Sequence, residues 1–215
     1  MKFEYFGGHG RGLPIRLMFD HTKTDYEDVQ IDFPTFGASK AAGKYKFGQV
    51  PMLTTDDGKQ MFQTCAILRY LGKTLGDGSM YPAFDDALTT YRIDEILAEL
   101  DDFINVYNKF FLPIVPAYKN KDEHFTKFIT SEFDAYLAKL EERLTKSSGK
   151  YLFGDKLTIA DFSTLNFFFK LSHNELYEHN LILKVILGKY PKSNAYVEDC
   201  FSLFKEYLSK NQRPF

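Results

Sequence analysis

The strongest constraint on this 215-residue chain is a change of hydrophobic periodicity near residue 76. Before it, short alternating runs are separated by glycine-containing turns; after it, apolar residues recur at three and four. Residues 2–6 alternate around Phe3 and Tyr5 like a short strand, and Gly7-Gly8-His9-Gly10-Arg11-Gly12 behind them reads as loop. Pro14 suits a first helical turn, and Leu17, Met18 and Phe19 beside Arg16, Asp20 and His21 predict an amphipathic helix ending near Thr22. Residues 26–31 read as a second strand, and the strand, helix, strand order predicts a parallel pair joined by a crossover.

The segment 32–48 is rich in Gly, Ala and Lys and reads as loop with one short helical turn. Residues 52–54 and 60–62 flank Asp57-Gly58, the dipeptide of a two-residue hairpin, and 65–71 return to helical spacing. The part before residue 76 is therefore βαβ followed by ββα, the order of a thioredoxin-like domain. Residues 76–82 form the linker, and from Ala83 onward the pattern is helical. Ile93, Ile96, Leu97 and Leu100 make one stripe and Phe133, Tyr136, Leu137, Leu140 and Leu144 another, as in long antiparallel helices. The expected architecture is an α/β plus all-α chain, with a thioredoxin-like domain at 1–78 and an all-helical domain at 84–215.

Composition removes several classes of function. With 27 basic and 29 acidic residues the formal net charge is −2, so no cationic excess exists to neutralise a phosphate backbone and nucleic acid is excluded as a partner. A 44% hydrophobic content with 22 Phe and 14 Tyr excludes a disordered chain. Cys65 and Cys200 form no C-x-x-C pair and favour a reducing compartment. No run approaches the ~18 apolar residues needed to span a bilayer, and the first residues lack a signal-peptide core. These features predict a cytoplasmic protein without a membrane partner. The histidines make no H-x-x-x-H or His/Cys cluster, so no metal and no visible base for a Ser or Cys triad is expected.

Four constellations remain. The glycine-rich loop fits no phosphate-binding fingerprint, but it places Tyr5, at a strand end, against a helix start with Arg11 nearby, which suits a small anion or a thiolate. Val50-Pro51 precedes a strand, and the residues alone favour a trans bond there. Gln63-Thr64 opens a helix, where a hydroxyl and backbone donors suit a carboxylate or serve as a plain N-cap. Asp94, Glu95, Glu99, Asp101 and Asp102 crowd one helix, with Glu95, Glu99 and Asp102 on one face, and read as a solvated surface. Thr158-Ile159-Ala160-Asp161 is a T-x-x-D capping box with a structural role.

Together these pieces resemble a cytosolic glutathione transferase over the whole chain, closest to the sigma class in the N-terminal third and the first long helix. The resemblance rests on Tyr5-Phe6 with Gly10-Arg11 and Arg16, on Phe47-Gly48-Gln49-Val50-Pro51-Met52-Leu53, and on Gln63-Thr64 with Ile67, Arg69, Tyr70 and Leu71. It continues through Tyr91-Arg92-Ile93-Asp94-Glu95-Ile96 and Gly154-Asp155-Lys156-Leu157-Thr158-Ile159-Ala160-Asp161.

The resemblance implies a catalytic Tyr5 that donates to the sulfur of glutathione, assisted by Arg11. It implies a cis Pro51, with Val50 pairing the cysteinyl amide, Gln49 alongside, and Gln63 and Thr64 on the γ-glutamyl carboxylate. Asp102 would reach across a homodimer to the neighbouring site, and Phe47 would insert into the partner subunit. Glutathione is then a co-substrate, with no other cofactor and no metal, and the second substrate is a hydrophobic electrophile in a pocket lined by Phe6, His9, Leu13, Tyr107 and Phe111. Departures bear on detail. Phe33 occupies the region where relatives carry a Trp, Lys40 is preferred to Lys44 for the glycyl carboxylate, and Ala98 replaces one of three acidic positions that bind metal in prostaglandin synthases of this family. A noncatalytic structural protein or ligand carrier, and a glutathione-dependent prostaglandin isomerase, are the alternative functions. Thiol exchange is excluded because no cysteine lies near the first helix.

Overall fold

The computed structural model describes residues 1–82, 86–111 and 121–213, without the side chains of 108–111, 121, 122 and 124. Strand β1 (Lys2–Phe6) runs parallel to β2 (Glu27–Ile31) and antiparallel to β3 (Met52–Thr54), which pairs antiparallel with β4 (Gln60–Phe62), giving the sheet order β2-β1-β3-β4. The parallel pair needs a crossover, and helix α1 (Leu13–Thr22) supplies it. Helix α3 (Thr64–Thr74) joins α1 over one face of the sheet, where Phe3, Leu17, Phe19, Leu53, Ile67 and Leu71 bury their side chains in one core.

The opposite face corrects the reading of residues 32–48. They hold a nine-residue helix, α2 (Phe33–Ala41), rather than a loop with a single turn. Asp32 caps it by accepting from the Thr35 amide at 2.8 Å, and Pro34 occupies the first turn. None of its residues is fully buried, so there is no apolar stripe for periodicity to detect. The segment after α2 covers the sheet: Tyr45 joins Ile31 and Met52 in a second small cluster. There the buried Glu4 accepts from the Tyr45 hydroxyl and from Lys44 Nζ at 2.7 Å. β1 is thus covered on both faces, although its alternation resembles that of a half-exposed strand.

The β3–β4 connection is also longer than the two-residue hairpin expected from Asp57-Gly58. Thr54 pairs with Gln60, which leaves residues 55–59 as the loop, closed by the Thr55 amide on the Lys59 carbonyl at 3.0 Å. Gly58 adopts φ 80° in it, a conformation glycine takes without steric cost.

The remaining described chain is helical: α4 (Ala87–Phe111), α5 (Lys121–Lys127), a π-helical stretch (Phe128–Phe133) leading into α6 (Asp134–Lys146), α7 (Ile159–Lys170), α8 (Asn180–Leu187) and α9 (Pro191–Lys210). Ala83, where the helical pattern starts in the sequence, lies outside the described residues. Both predicted stripes are buried, from Ile93 to Leu100 on α4 and from Phe133 to Leu144 on α6. Helix α7 is buried along its whole length except at Lys170 and packs against α1, α3, α4 and α9, which makes it the axle between sheet and bundle. Its capping box forms as expected.

The acidic run on α4 is not a solvated face. Asp94 binds Arg69 at 2.9 Å, Glu99 binds Arg143 and Lys139, and Asp101 binds Arg11 at 2.6 Å, so three of the five carboxylates tie α4 to other elements. The complementary arginines sit at least 25 residues away in sequence, beyond the reach of any local pattern.

Candidate active site

Tyr5 ends β1 and turns its ring under the short Gly10–Gly12 turn. A Cβ at Gly10 would lie 2.4 Å from the Tyr5 hydroxyl oxygen, and one at Gly12 2.6 Å from its ring, so the glycines let backbone and phenol approach. As a result the Arg11 amide donates to the Tyr5 hydroxyl at 2.8 Å. That bond uses the oxygen as acceptor and leaves the hydroxyl proton free to be donated. Burial pushes the Tyr5 pKa up, against the opposing effects of the Arg11 amide, the Arg11 charge and the Arg16 charge. At neutral pH the group is a phenol and a donor.

Arg16 holds this turn from beneath. Its side chain is fully buried, donates to the carbonyls of Gly8 at 2.9 Å and Phe6 at 3.2 Å, and pairs with Asp28 at 3.0 Å. Asp28 also receives Arg213 at 2.9 Å, which anchors the end of the described chain to β2.

A cleft of about 350 Å³ opens beside the turn. Arg11, Asp101 and Asn105 form one wall, with Arg11 bonded to Asp101 Oδ1 at 2.6 Å and reaching Asn105 at 3.5 Å. Gln49, Val50, Pro51, Gln63 and Thr64 form the other, and Phe6, Phe36, Phe47 and Phe62 supply its apolar surface. The Val50-Pro51 bond is cis, as the resemblance implies and contrary to the preference of the residues alone, and Val50 lies just before the ladder that begins at Met52. Gln63 precedes α3 with φ 72°, a left-handed conformation that is uncommon outside glycine and is concentrated at functional sites. Among the described residues no side chain caps α3, so the first amides of an eleven-residue helix, at Gln63-Thr64 on the cleft wall, are open to an acceptor. The Thr64 hydroxyl donates to the Arg11 carbonyl at 3.4 Å, linking the two walls.

The structure thus gathers Phe6, Arg11, Gln49, Val50, Pro51, Gln63 and Thr64 on one cleft, with Tyr5 directly below Arg11. Other residues singled out from the sequence lie elsewhere. Leu13 is fully buried in the main core, Tyr107 is buried against Phe128 and Phe167, and His9 is only 3% exposed; none of the three lines the cleft. The side chain of Phe111 lies outside the described residues. Asp102 is exposed and off the cleft, one residue along the helix from Asp101. Lys44 is engaged by Glu4, whereas Lys40 runs along Gly48, next to Gln49. Phe47 is 54% exposed at the rim, edge-on to Phe62.

Sequence reasoning missed Asp101 and Asn105 as cleft residues. Their i, i+4 spacing puts them on one helix face, but nothing local shows that this face meets Arg11. Cys65 donates to Asp101 at 3.4 Å, and burial and that carboxylate push its thiol up to about 12, so it is not a nucleophile at neutral pH. Among the described residues no three His, Cys, Asp or Glu side chains converge as metal ligands.

Family models confirm what this geometry resembles. The glutathione S-transferase N-terminal domain matches residues 1–73 and the glutathione S-transferase C-terminal domain matches residues 101–211. The chain belongs to the glutathione S-transferase family. Glutathione S-transferase 3 of Caenorhabditis elegans is 32% identical over 165 residues, covering 74% of each chain. Glutathione S-transferase P 1 of Xenopus laevis is 28% identical over 98% of this chain and 93% of its own. Among solved structures, the prostaglandin synthase D of Nilaparvata lugens superposes with a TM-score of 0.76 at 26% identity, covering 100% of this chain and 98% of that one. The transferase fold is therefore shared along the full chain. No helix of the described residues is long and apolar enough to cross a membrane.

Proposed function

We propose that this glutathione transferase conjugates reduced glutathione to hydrophobic electrophiles through a thiolate stabilised by Tyr5. The observation that carries the reading is the Tyr5 hydroxyl: it accepts from the Arg11 amide at 2.8 Å and keeps its own proton to give, next to a cleft that ends at an uncapped helix N-terminus. A free thiol titrates near 8.5 and is only a few per cent ionised at pH 7, and each unit of lowering corresponds to about 1.4 kcal/mol of preferential thiolate stabilisation. A positioned phenol and the nearby Arg11 charge provide that stabilisation in the site.

The tripeptide's parts match the cleft in chemistry. Its γ-glutamyl carboxylate suits the α3 amides with Gln63 and Thr64, its cysteinyl amide suits the Val50 backbone as an added strand, and its glycyl carboxylate suits Lys40, since Lys44 is already paired. The thiolate attacks an electrophilic carbon, forms the new C–S bond and expels a leaving group or delivers its electrons to a conjugated acceptor. No residue of the protein becomes covalently modified, and no cofactor beyond the co-substrate is needed. In this reading residues 1–78 bind glutathione, 84–215 contribute the electrophile side, and the protein works in the cytoplasm as a homodimer. Asp102, turned about 100° around α4 from the cleft-lining Asp101, then serves the neighbouring site.

Initial rates of chlorodinitrobenzene conjugation test the role of Tyr5. Tyr5→Phe should lower kcat/KM about 100-fold near pH 7, the scale of losing one transition-state donor, and the deficit should narrow as pH approaches 9 and the thiol ionises unaided. An unchanged rate removes Tyr5 from the mechanism. A wild-type chain that is retained on immobilised glutathione yet shows no turnover is a carrier instead.

A further inference from the structure

One basic side chain near the site has no place in that reading. Lys170 closes α7, the helix that packs against both α4 and the Gly10–Gly12 turn, and it alone on α7 is half-buried where the rest of the helix is fully buried. Its ammonium sits over the Tyr107 ring, 4.6 Å from the centroid, and among the described residues no carboxylate pairs with it. The charge that acts on it among the described residues is of the wrong sign: Arg11 is also cationic and already holds Asp101. His9, which feels the Lys170 charge, is neutral and buried, and its Nδ1 has no hydrogen-bond partner. Burial and Arg11 push Lys170 down to about 8, so at neutral pH it is mostly an ammonium that has lost water and gained only an aromatic face.

Resting on the transferase reading, the geometry points to Lys170 as a specificity-determining residue that receives an anionic group of the second substrate, so that the preferred electrophile is an apolar molecule bearing a carboxylate. Aromatic Tyr107 supplies the apolar surface, Lys170 Nζ the charge-assisted hydrogen bond, and His9 Nδ1 a further polar contact. None of the three lines the Val50–Gln63 cleft, so the anion does not compete with the carboxylates of glutathione. An incoming carboxylate supplies a counter-charge that none of the described residues supplies, and it would raise the Lys170 pKa on binding.

A matched pair of probes tests this. Ethacrynic acid is an α,β-unsaturated ketone with a carboxylate, and its methyl ester has the same electrophilic carbon without the charge. Wild type should favour the acid in kcat/KM, and Lys170→Met should lower the acid-to-ester ratio about tenfold, equivalent to about 1.4 kcal/mol. Lys170→Arg, which keeps the charge, should retain most of the preference. A ratio unchanged in Lys170→Met overturns the proposal, including the case where both rates fall together, because Lys170 is then only packing on Tyr107. Calorimetric binding of ethacrynic acid to glutathione-saturated wild type and Lys170→Met separates this from the wider reading. Lys170-dependent binding without turnover keeps the anion site and removes the transferase activity, while conjugation of both probes with Lys170-independent binding does the reverse.

Discussion

At the scale of single residues, burial sets the protonation states on which the site depends. It keeps Tyr5 a phenol and Cys65 a thiol, so the sulfur that reacts belongs to the ligand. It also acts on His9, whose pKa falls to about 4, chiefly through burial and then through the charges of Arg213, Arg16 and Lys170, which face it from the chain end, α1 and α7. The ordinary value is 6.5, so between pH 6.5 and pH 4 the unfolded chain binds a proton that the folded chain refuses. The stabilisation from neutral His9 is complete above pH 6.5 and is lost as pH falls through that window. Its size is roughly 3 kcal/mol. Urea unfolding of wild type and His9→Gln at pH 7 and pH 4.5 measures it, and wild type should lose about 2–3 kcal/mol more than the variant on acidification. Parallel losses in the two proteins would show that His9 titrates normally in the fold.

At the scale of elements, α7 shows how a local signal acquires a larger role from its surroundings. The T-x-x-D box is readable as a helix start, and Asp161 does accept from the Thr158 amide at 2.7 Å. The same carboxylate also accepts from the Leu152 amide at 3.1 Å and the Tyr196 hydroxyl at 2.9 Å, joining the preceding loop and α9 to the start of α7. Asp161→Ala leaves those buried donors unpaired and should cost on the order of 3–5 kcal/mol, against about 1 kcal/mol for Thr158→Ala. Denaturation midpoints at unchanged slope would show the difference. Equal losses would mean that only the cap matters. Helix α2 illustrates the converse case. The segment reads as loop with one short turn because a helix without a buried stripe shows no period and Gly37 within it argues for loop; the Asp32 cap and Pro34 acquire their meaning only in the structure.

At the scale of the molecule, the homodimer belongs to the proposal, and Phe47 is the residue on which it turns. In that reading a partner would bury Phe47, which is 54% exposed at the cleft rim, and a buried aromatic anchor typically costs about 2 kcal/mol or more when truncated, about 30-fold in affinity. Sedimentation velocity should therefore show wild type as a dimer at micromolar concentration and Phe47→Ala shifted toward monomer. Conjugation should fall with it if Asp102 serves the neighbouring site. A wild type that sediments as a monomer sinks both assignments.

Several features were determined by the sequence alone. The periodicity change near residue 76, the order of the four strands with α1 and α3, the buried stripes of α4 and α6 and the α7 cap all arise from near-neighbour spacing, which chain geometry converts directly into faces and turns. The glycine turn around Tyr5 and the Gln63-Thr64 helix start were visible as positions, and the family resemblance assigned them roles. Tertiary structure decided which of these positions meet. Arg11 reaches Asp101 across 90 residues, Glu4 finds Lys44 and Tyr45 on a face that alternation would leave to solvent, and Leu13 is fully buried in the core rather than on the cleft. Long-range pairing of charges and the competition of aromatics for one interior depend on distances in space, and spacing along the chain does not encode them. For the same reason the sequence did not single out Lys170: its place over Tyr107, with no carboxylate among the described residues beside it, is a fact of the tertiary structure.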